Sequence, residues 1–249
     1  MIQLGAQVYT VRTLLNTPEE AVKTMKAVKA IGYDSVQLYG AEERLRLCGQ
    51  AARQAGLTVS GALVDRKVCD TMGDTLFALC REYGMKEIAI SAFHTDAAGA
   101  RELIDWANAY GKKARQEGFV FSYHNHAREF ILTEEGRTVM DMYLTGFDPE
   151  AVDFMPDTYW LQCGGSDVRH FLESTRGRVT MLHLKDMAYT KEGPKFAEVG
   201  SGNLWFPGII ETALACGIEN FAVEQDACDG DPMESLKRSY EYIRKLGLL

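Results

Sequence analysis

Strand-like and helix-like segments alternate eight times along this chain with no linker between them, and few architectures accept that pattern. Apolar runs at 2–9, 35–39, 57–64, 86–91, 119–126, 152–157, 179–186 and 220–226 predict strands. Amphipathic stretches at 18–31, 42–55, 74–83, 99–116, 134–144, 168–174, 206–216 and 233–246 predict the helices that follow them. Spread over 249 residues, the pairs average about 31 residues each, close to what a (β/α)8 barrel of typically ~250 residues needs. The expected fold is therefore an α/β TIM barrel, one domain over 1–249, with a doubly wound open sheet as its rival. Boundary signals agree. Thr17-Pro18-Glu19-Glu20 is an N-cap, a proline at the first helical position and early acids, while Gly32, Gly56, Gly84, Gly118 and Gly217 follow helices as C-cap glycines do. The longest irregular piece, 187–204, is read either as a substrate-covering loop or as an inert surface excursion.

Active sites of such barrels lie at the carboxyl ends of the strands, so polar residues on the inward phase there carry the most information. The run 119–126 shows the division clearly. Val120, Ser122, His124 and His126 fall on one side and Phe119, Phe121 and Tyr123 on the other, because side chains alternate with period two. The same phase yields Gln7 and Tyr9, Gln37 and Tyr39, Ser91, Asp157, His183 and Lys185, and Glu224 and Asp226. Two imidazoles and two carboxylates converging from strands five to eight make an N/O set suited to Mn²⁺, Co²⁺, Mg²⁺ or Zn²⁺. The competing interpretation is an ion-pair network in which Lys185 and the histidines neutralise the acids.

Charge and cysteines narrow the partners. A formal charge of −8 opposes binding to nucleic acid or to an anionic membrane, both of which need phosphate neutralised by Lys and Arg. Six cysteines without a C-x-x-C pair fit buried thiols in a reducing cytoplasm, and no run approaches a membrane span. A small-molecule partner is expected, and association into homo-oligomers is left open.

Tyr123-His124-Asn125-His126-x-x-Glu129-Phe130, His183-Leu184-Lys185-Asp186, Val199-Gly200-Ser201-Gly202 and Val223-Glu224-Gln225-Asp226 together resemble the sugar phosphate isomerase/epimerase family of xylose-isomerase-like barrels. The opening Leu4-Gly5-Ala6-Gln7-Val8-Tyr9-Thr10-Val11-Arg12 is similar to that family's first strand. The resemblance implies a divalent metal held by Asp157, His183 and Glu224, and chemistry on a carbonyl-bearing sugar or polyol. Two departures stand out: His124 occupies the place of a strand-five glutamate that binds metal and acts as a base, and Gln37 stands where relatives often carry Glu. His124 is expected either as a fourth ligand or, by preference, beside the metal, with Glu129 orienting His124 or His126 from the loop or else supplying the missing carboxylate itself.

The first functional expectation is a metal-dependent isomerase or epimerase that abstracts a proton beside a carbonyl through an enediolate. Glu224 is the expected base, with His124, His126 or Lys185 returning the proton; Gln7, Tyr9, Gln37 and Trp205 are the expected substrate contacts. An inosose-dehydratase-like lyase is the runner-up, favoured by His124. A metal-dependent endonuclease and a non-catalytic sugar-binding barrel complete the set; few histidines and the charge speak against the former, a complete metal set against the latter.

Overall fold

The structure, a computed structural model, describes residues 2–92 and 94–248. In chain order the strands are β1 (Gln3–Gln7), β2 (Ser35–Tyr39), β3 (Thr58–Asp65), β4 (Glu87–Ser91), β5 (Val120–His124), β6 (Asp153–Met155), β7 (Leu182–Leu184), β8 (Asp186–Thr190), β9 (Gly193–Ala197) and β10 (Asn220–Val223). The helices are α1 (Pro18–Ile31), α2 (Glu42–Ala55), α3 (Arg66–Met72), α4 (Asp74–Tyr83), α5 (Ala97–Gln116), α6 (Val139–Gly146), α7 (Thr158–Cys163), α8 (Val168–Ser174), α9 (Phe206–Ala215) and α10 (Pro232–Leu246). Eight strands pair in parallel in the order β6-β5-β4-β3-β2-β1-β10-β7. Single bridges Phe154–Val179 and Asp157–His183 join the two ends, so the sheet is a nearly closed barrel rather than an open one.

Helix starts follow the sequence signals. Thr17 and Glu20 form a reciprocal capping box ahead of Pro18, which satisfies amide groups the first turn leaves over. Gly56 and Gly84 end α2 and α4 in the left-handed conformation, where a Cβ would be strained. Ala21, Met25 and Val28 bury one face of α1 against the barrel, and burying each large apolar side chain contributes about 1.5–3 kcal/mol.

Period-two alternation divides the barrel interior into layers. At the amino end, Glu87 accepts hydrogen bonds from the Ser122 and Thr180 hydroxyls. Ala89, Met155, Met181 and Ala222, with Leu63 packed against them, form an apolar layer above. Two residues further along the same strands come Asp157, His183 and Glu224, all buried. The large apolar core lies outside, between strands and helices.

Three pieces differ from expectation. β1 stops at Gln7 because the Gln7 side chain accepts from Tyr9 N at 3.1 Å and opens a 3-10 turn over Val8–Leu14. α7 follows β6 at once, capped by Asp157. The excursion 187–204 is neither featureless nor loose. β8 and β9 form an antiparallel hairpin, and the buried Asp186 carboxylate then accepts from the backbone amides of Met187, Gly200, Gly202 and Leu204. Val199-Gly200-Ser201-Gly202 is thus shaped to wrap a carboxylate of its own chain.

Candidate metal centre and cavity

His124 ends β5, Asp157 follows β6, His183 is the central residue of β7 and Glu224 follows β10. One ligand atom from each lies within 4.8 Å of all the others, and all four residues are buried. Backbone pairing sets this up, since Asp157 bridges to His183 while Ala222, two residues before Glu224, is in register with His183. Asn125 adds to it by accepting the Asp157 amide at 3.0 Å.

Hydrogen-bond partners assign the protons. Gln37 Oε1 accepts from Gln7 Nε2 and lies 2.8 Å from His183 Nε2, so His183 carries its proton there and presents the Nδ1 lone pair to the cluster. That lone pair faces Glu224 Oε2 at 3.0 Å and His124 Nε2 at 3.2 Å. His124 Nε2 is in turn 3.6 Å from Asp157 Oδ2, and His124 Nδ1 has no hydrogen-bond partner. Acceptors brought this close need a cation among them. The set is two imidazoles and two carboxylates, and two ligand bonds of about 2.1 Å span distances of this order. The residues therefore fit a divalent ion.

A cation of the chain's own also reaches the group. Lys185 is 1% exposed, and its Nζ lies 3.0 Å from Asp157 Oδ2, 3.1 Å from Glu224 Oε2 and 2.7 Å from Asp226 Oδ1. Its approach to Asp157 Oδ2 is off the direction of a hydrogen bond, and that oxygen is without one. The ion-pair network and the metal quartet are thus both present and share two carboxylates. Burial works to raise the Asp157 and Glu224 carboxyls, but the Lys185 ammonium beside them holds both below the ordinary range. Burial also disfavours the ammonium, yet the three carboxylates keep it charged. Asp226 is pushed up to about 6 by burial and by the nearby negative charges. Burial lowers His124, and lowers His126 to about 3, leaving both imidazoles neutral at pH 7.

Above the quartet opens a cavity of about 290 Å³. Gln7, Tyr9, Tyr39, Asp65 and Ser91 line it from β1 to β4, and His124, His126, Lys185, Glu224 and Asp226 from the other half. Tyr9 and Tyr39 meet edge to face at 5.0 Å, while His126 packs 5.1 Å from Trp160.

Most of the expected site residues are thereby brought together, and three are placed otherwise. Gln37 does not line the cavity; it lies beneath it, bonded to Gln7, His183 and Met155 Sδ, and so orients the His183 ring. Glu129 turns behind the strand, where its Oε1 accepts from the Tyr123 hydroxyl at 2.7 Å and the His126 amide at 2.9 Å, so it fixes the strand end through the His126 backbone. Trp205 is 61% exposed and sits under Arg169 on the outer helices, away from the cavity. His124 joins the quartet on equal terms with the others rather than standing beside it. The apolar run of the third strand ends at 64 and so does not reach Asp65, which the structure places as the last residue of β3.

No family model matches the chain. In structure it is similar to a sugar phosphate isomerase/epimerase from Parabacteroides distasonis, with a TM-score of 0.83 at 23% identity over 98% of both chains. Its fold is that of the xylose-isomerase-like TIM barrels. A xylose isomerase-like TIM barrel protein from Mycobacterium smegmatis, solved in complex with magnesium, has a TM-score of 0.71 at 16% identity, covering 99% of this chain and 96% of that one. Among curated proteins, an inosose dehydratase from Geobacillus thermodenitrificans is 29% identical over 161 residues, 57% of this chain and 53% of that protein. The chain spans about half the length of the curated relatives it matches. Among the described residues, no helix is long and apolar enough to cross a membrane.

Proposed function

We propose that this barrel is a metal-dependent enzyme that removes a proton beside the carbonyl of a small keto-polyol and then expels water, a dehydratase. The observation that carries the proposal is the one-sided placement of charge beside the quartet. Asp157, Glu224 and Asp226 gather around the Lys185 ammonium, whereas β1, β2 and β4 present Gln7, Tyr9, Tyr39 and Ser91, and the carboxylate of β3, Asp65, stands exposed at the rim. Epimerisation by two carboxylates needs one on each face of the reacting carbon. Elimination needs a base and an acid, and here they are neighbours.

A divalent cation held by His124, Asp157, His183 and Glu224 would polarise the carbonyl and its neighbouring hydroxyl, making the adjacent C–H more acidic. Glu224 is the carboxylate of the quartet that also lines the cavity, and it takes the proton from carbon. The electron pair left behind becomes a C=C bond as the C–O bond to the β-hydroxyl breaks. Lys185 supplies the proton with which that hydroxyl leaves as water, and Asp226, 2.7 Å away, holds its ammonium in place. Tyr9 and Tyr39 offer ring edges and hydroxyls to a polyol, and Gln7 an amide.

The similarity to an inosose dehydratase supports the same reading. Isomerisation or epimerisation is the second reading, favoured by His126, a second proton-transferring group lining the same cavity. The deciding assay incubates the protein with an inosose and Mn²⁺ in deuterated water. A product lighter by one water is expected. A deuterated epimer or isomer would establish the second reading instead, and a substrate whose carbon-bound protons never exchange or leave would refute both.

A further inference from the structure

We propose that Lys185 is a built-in competitor for the metal site, an internal cation that holds the carboxylates together until a divalent ion displaces it onto Asp226. The inference rests on the metal reading of the quartet and concerns what that ion must push aside. Lys185 Nζ contacts Asp157 Oδ2 at 3.0 Å and Glu224 Oε2 at 3.1 Å, and these carboxylates supply half of the quartet. An ion bound between them and an ammonium in contact with the same oxygens repel each other at short range in a buried place, where screening is weak.

The displaced ammonium has a partner ready. Asp226 Oδ1 is its nearest contact at 2.7 Å, and Asp226 lies outside the quartet on the cavity side, 24% exposed at its side chain. Three carboxylates surround one ammonium, which leaves two carboxylates without a side-chain ammonium to match them. A divalent ion matches both while Lys185 remains charged. Loading the metal and aiming the ammonium at the cavity are on this account one event. The rings beside Lys185, Trp160 at 5.4 Å and Phe196 at 5.5 Å, bound its movement on the far side and tolerate a cation at their faces.

Titration calorimetry of Mn²⁺ into chelator-stripped protein tests the idea without reference to turnover. Lys185→Met keeps the length of the side chain and removes the charge. It should bind Mn²⁺ about tenfold more tightly than the unaltered protein, the middle of the range for groups in direct contact. Asp226→Asn should act in the opposite direction, because Lys185 then has only the two metal carboxylates to hold. In the double variant Asp226→Asn should cost nothing further, which separates an anchor for Lys185 from a metal ligand.

Should Lys185→Met fold poorly without metal, the comparison is the Mn²⁺-induced rise in melting temperature, which must exceed that of the unaltered protein. If both proteins bind Mn²⁺ and Lys185→Met binds no more tightly, the competitor is overturned while the metal centre stands. If neither binds any divalent ion, both fail. Binding by Lys185→Met alone would support the competitor in its strongest form and remove the metal from the unaltered protein's chemistry.

Discussion

Replacing Gln37 by leucine isolates what a buried amide contributes to a site it never shows to solvent. Gln37 Oε1 accepts from both Gln7 Nε2 and His183 Nε2, in a place where all three residues are fully buried. Leucine removes the acceptor and strands two donors. Each buried donor left without a partner costs about 1–3 kcal/mol, so about 2–4 kcal/mol is expected after some relaxation. For a chain of 249 residues that is a fall of about 4–16 °C in melting temperature. The larger effect is on metal binding. His183 is free to turn, or to move its proton to Nδ1, once nothing accepts from Nε2, and losing such a partner typically loosens a metal about 10–100-fold. Calorimetry with Mn²⁺ and thermal melts on Gln37→Leu and Gln37→Glu measure both quantities. Glutamate restores an acceptor, so Gln37→Glu should recover most of the metal affinity. If Gln37→Leu binds Mn²⁺ as tightly as the unaltered protein, the assignment of the His183 proton through Gln37 is wrong.

Two further outcomes follow from the same geometry. Single alanine replacements of His124, Asp157 and His183 should each weaken Mn²⁺ binding by at least about tenfold, with His124 no exception, because its Nε2 stands as close to the group as the others; a His124→Ala protein that keeps full affinity would return His124 to a place beside the metal. Glu129→Ala strands the Tyr123 hydroxyl and the His126 amide, and should cost about 2–4 kcal/mol in denaturant titrations while lowering turnover more than Mn²⁺ affinity. Equal loss of both would show that Glu129 acts on the quartet directly.

The barrel was legible in the sequence because its eight units are punctuated by signals with local causes, such as the Thr17 capping box and the left-handed Gly56 and Gly84. The β8–β9 hairpin and α7 were not, being five-residue strands and a six-residue helix, too short for any periodicity to stand out. Strand phase fixed the inward direction of His124, Asp157, His183, Lys185 and Glu224, since a side chain one position off would face the helices. Phase says nothing of partners, and so it marks Gln37 as a substrate contact although Gln37 bonds beneath the floor. Phase also ends where the strand ends. Glu129 and Trp205 lie beyond that point, and only the chain's path in three dimensions shows the first tucked behind β5 and the second turned outward under Arg169.

The apolar layer of Ala89, Met155, Met181 and Ala222 has a consequence for traffic. It closes the barrel bore beneath the quartet, so the roomy hollow at the opposite end, around Glu87 and Thr180, does not serve as a back door. Whatever enters must leave by the doorway it came through, past Tyr9, Tyr39, Asp65 and Asp226. An expelled water and the product it came from would then queue at one exit. A ligand wedged in that doorway would trap an ion held by the quartet below it as effectively as it would bar the next substrate.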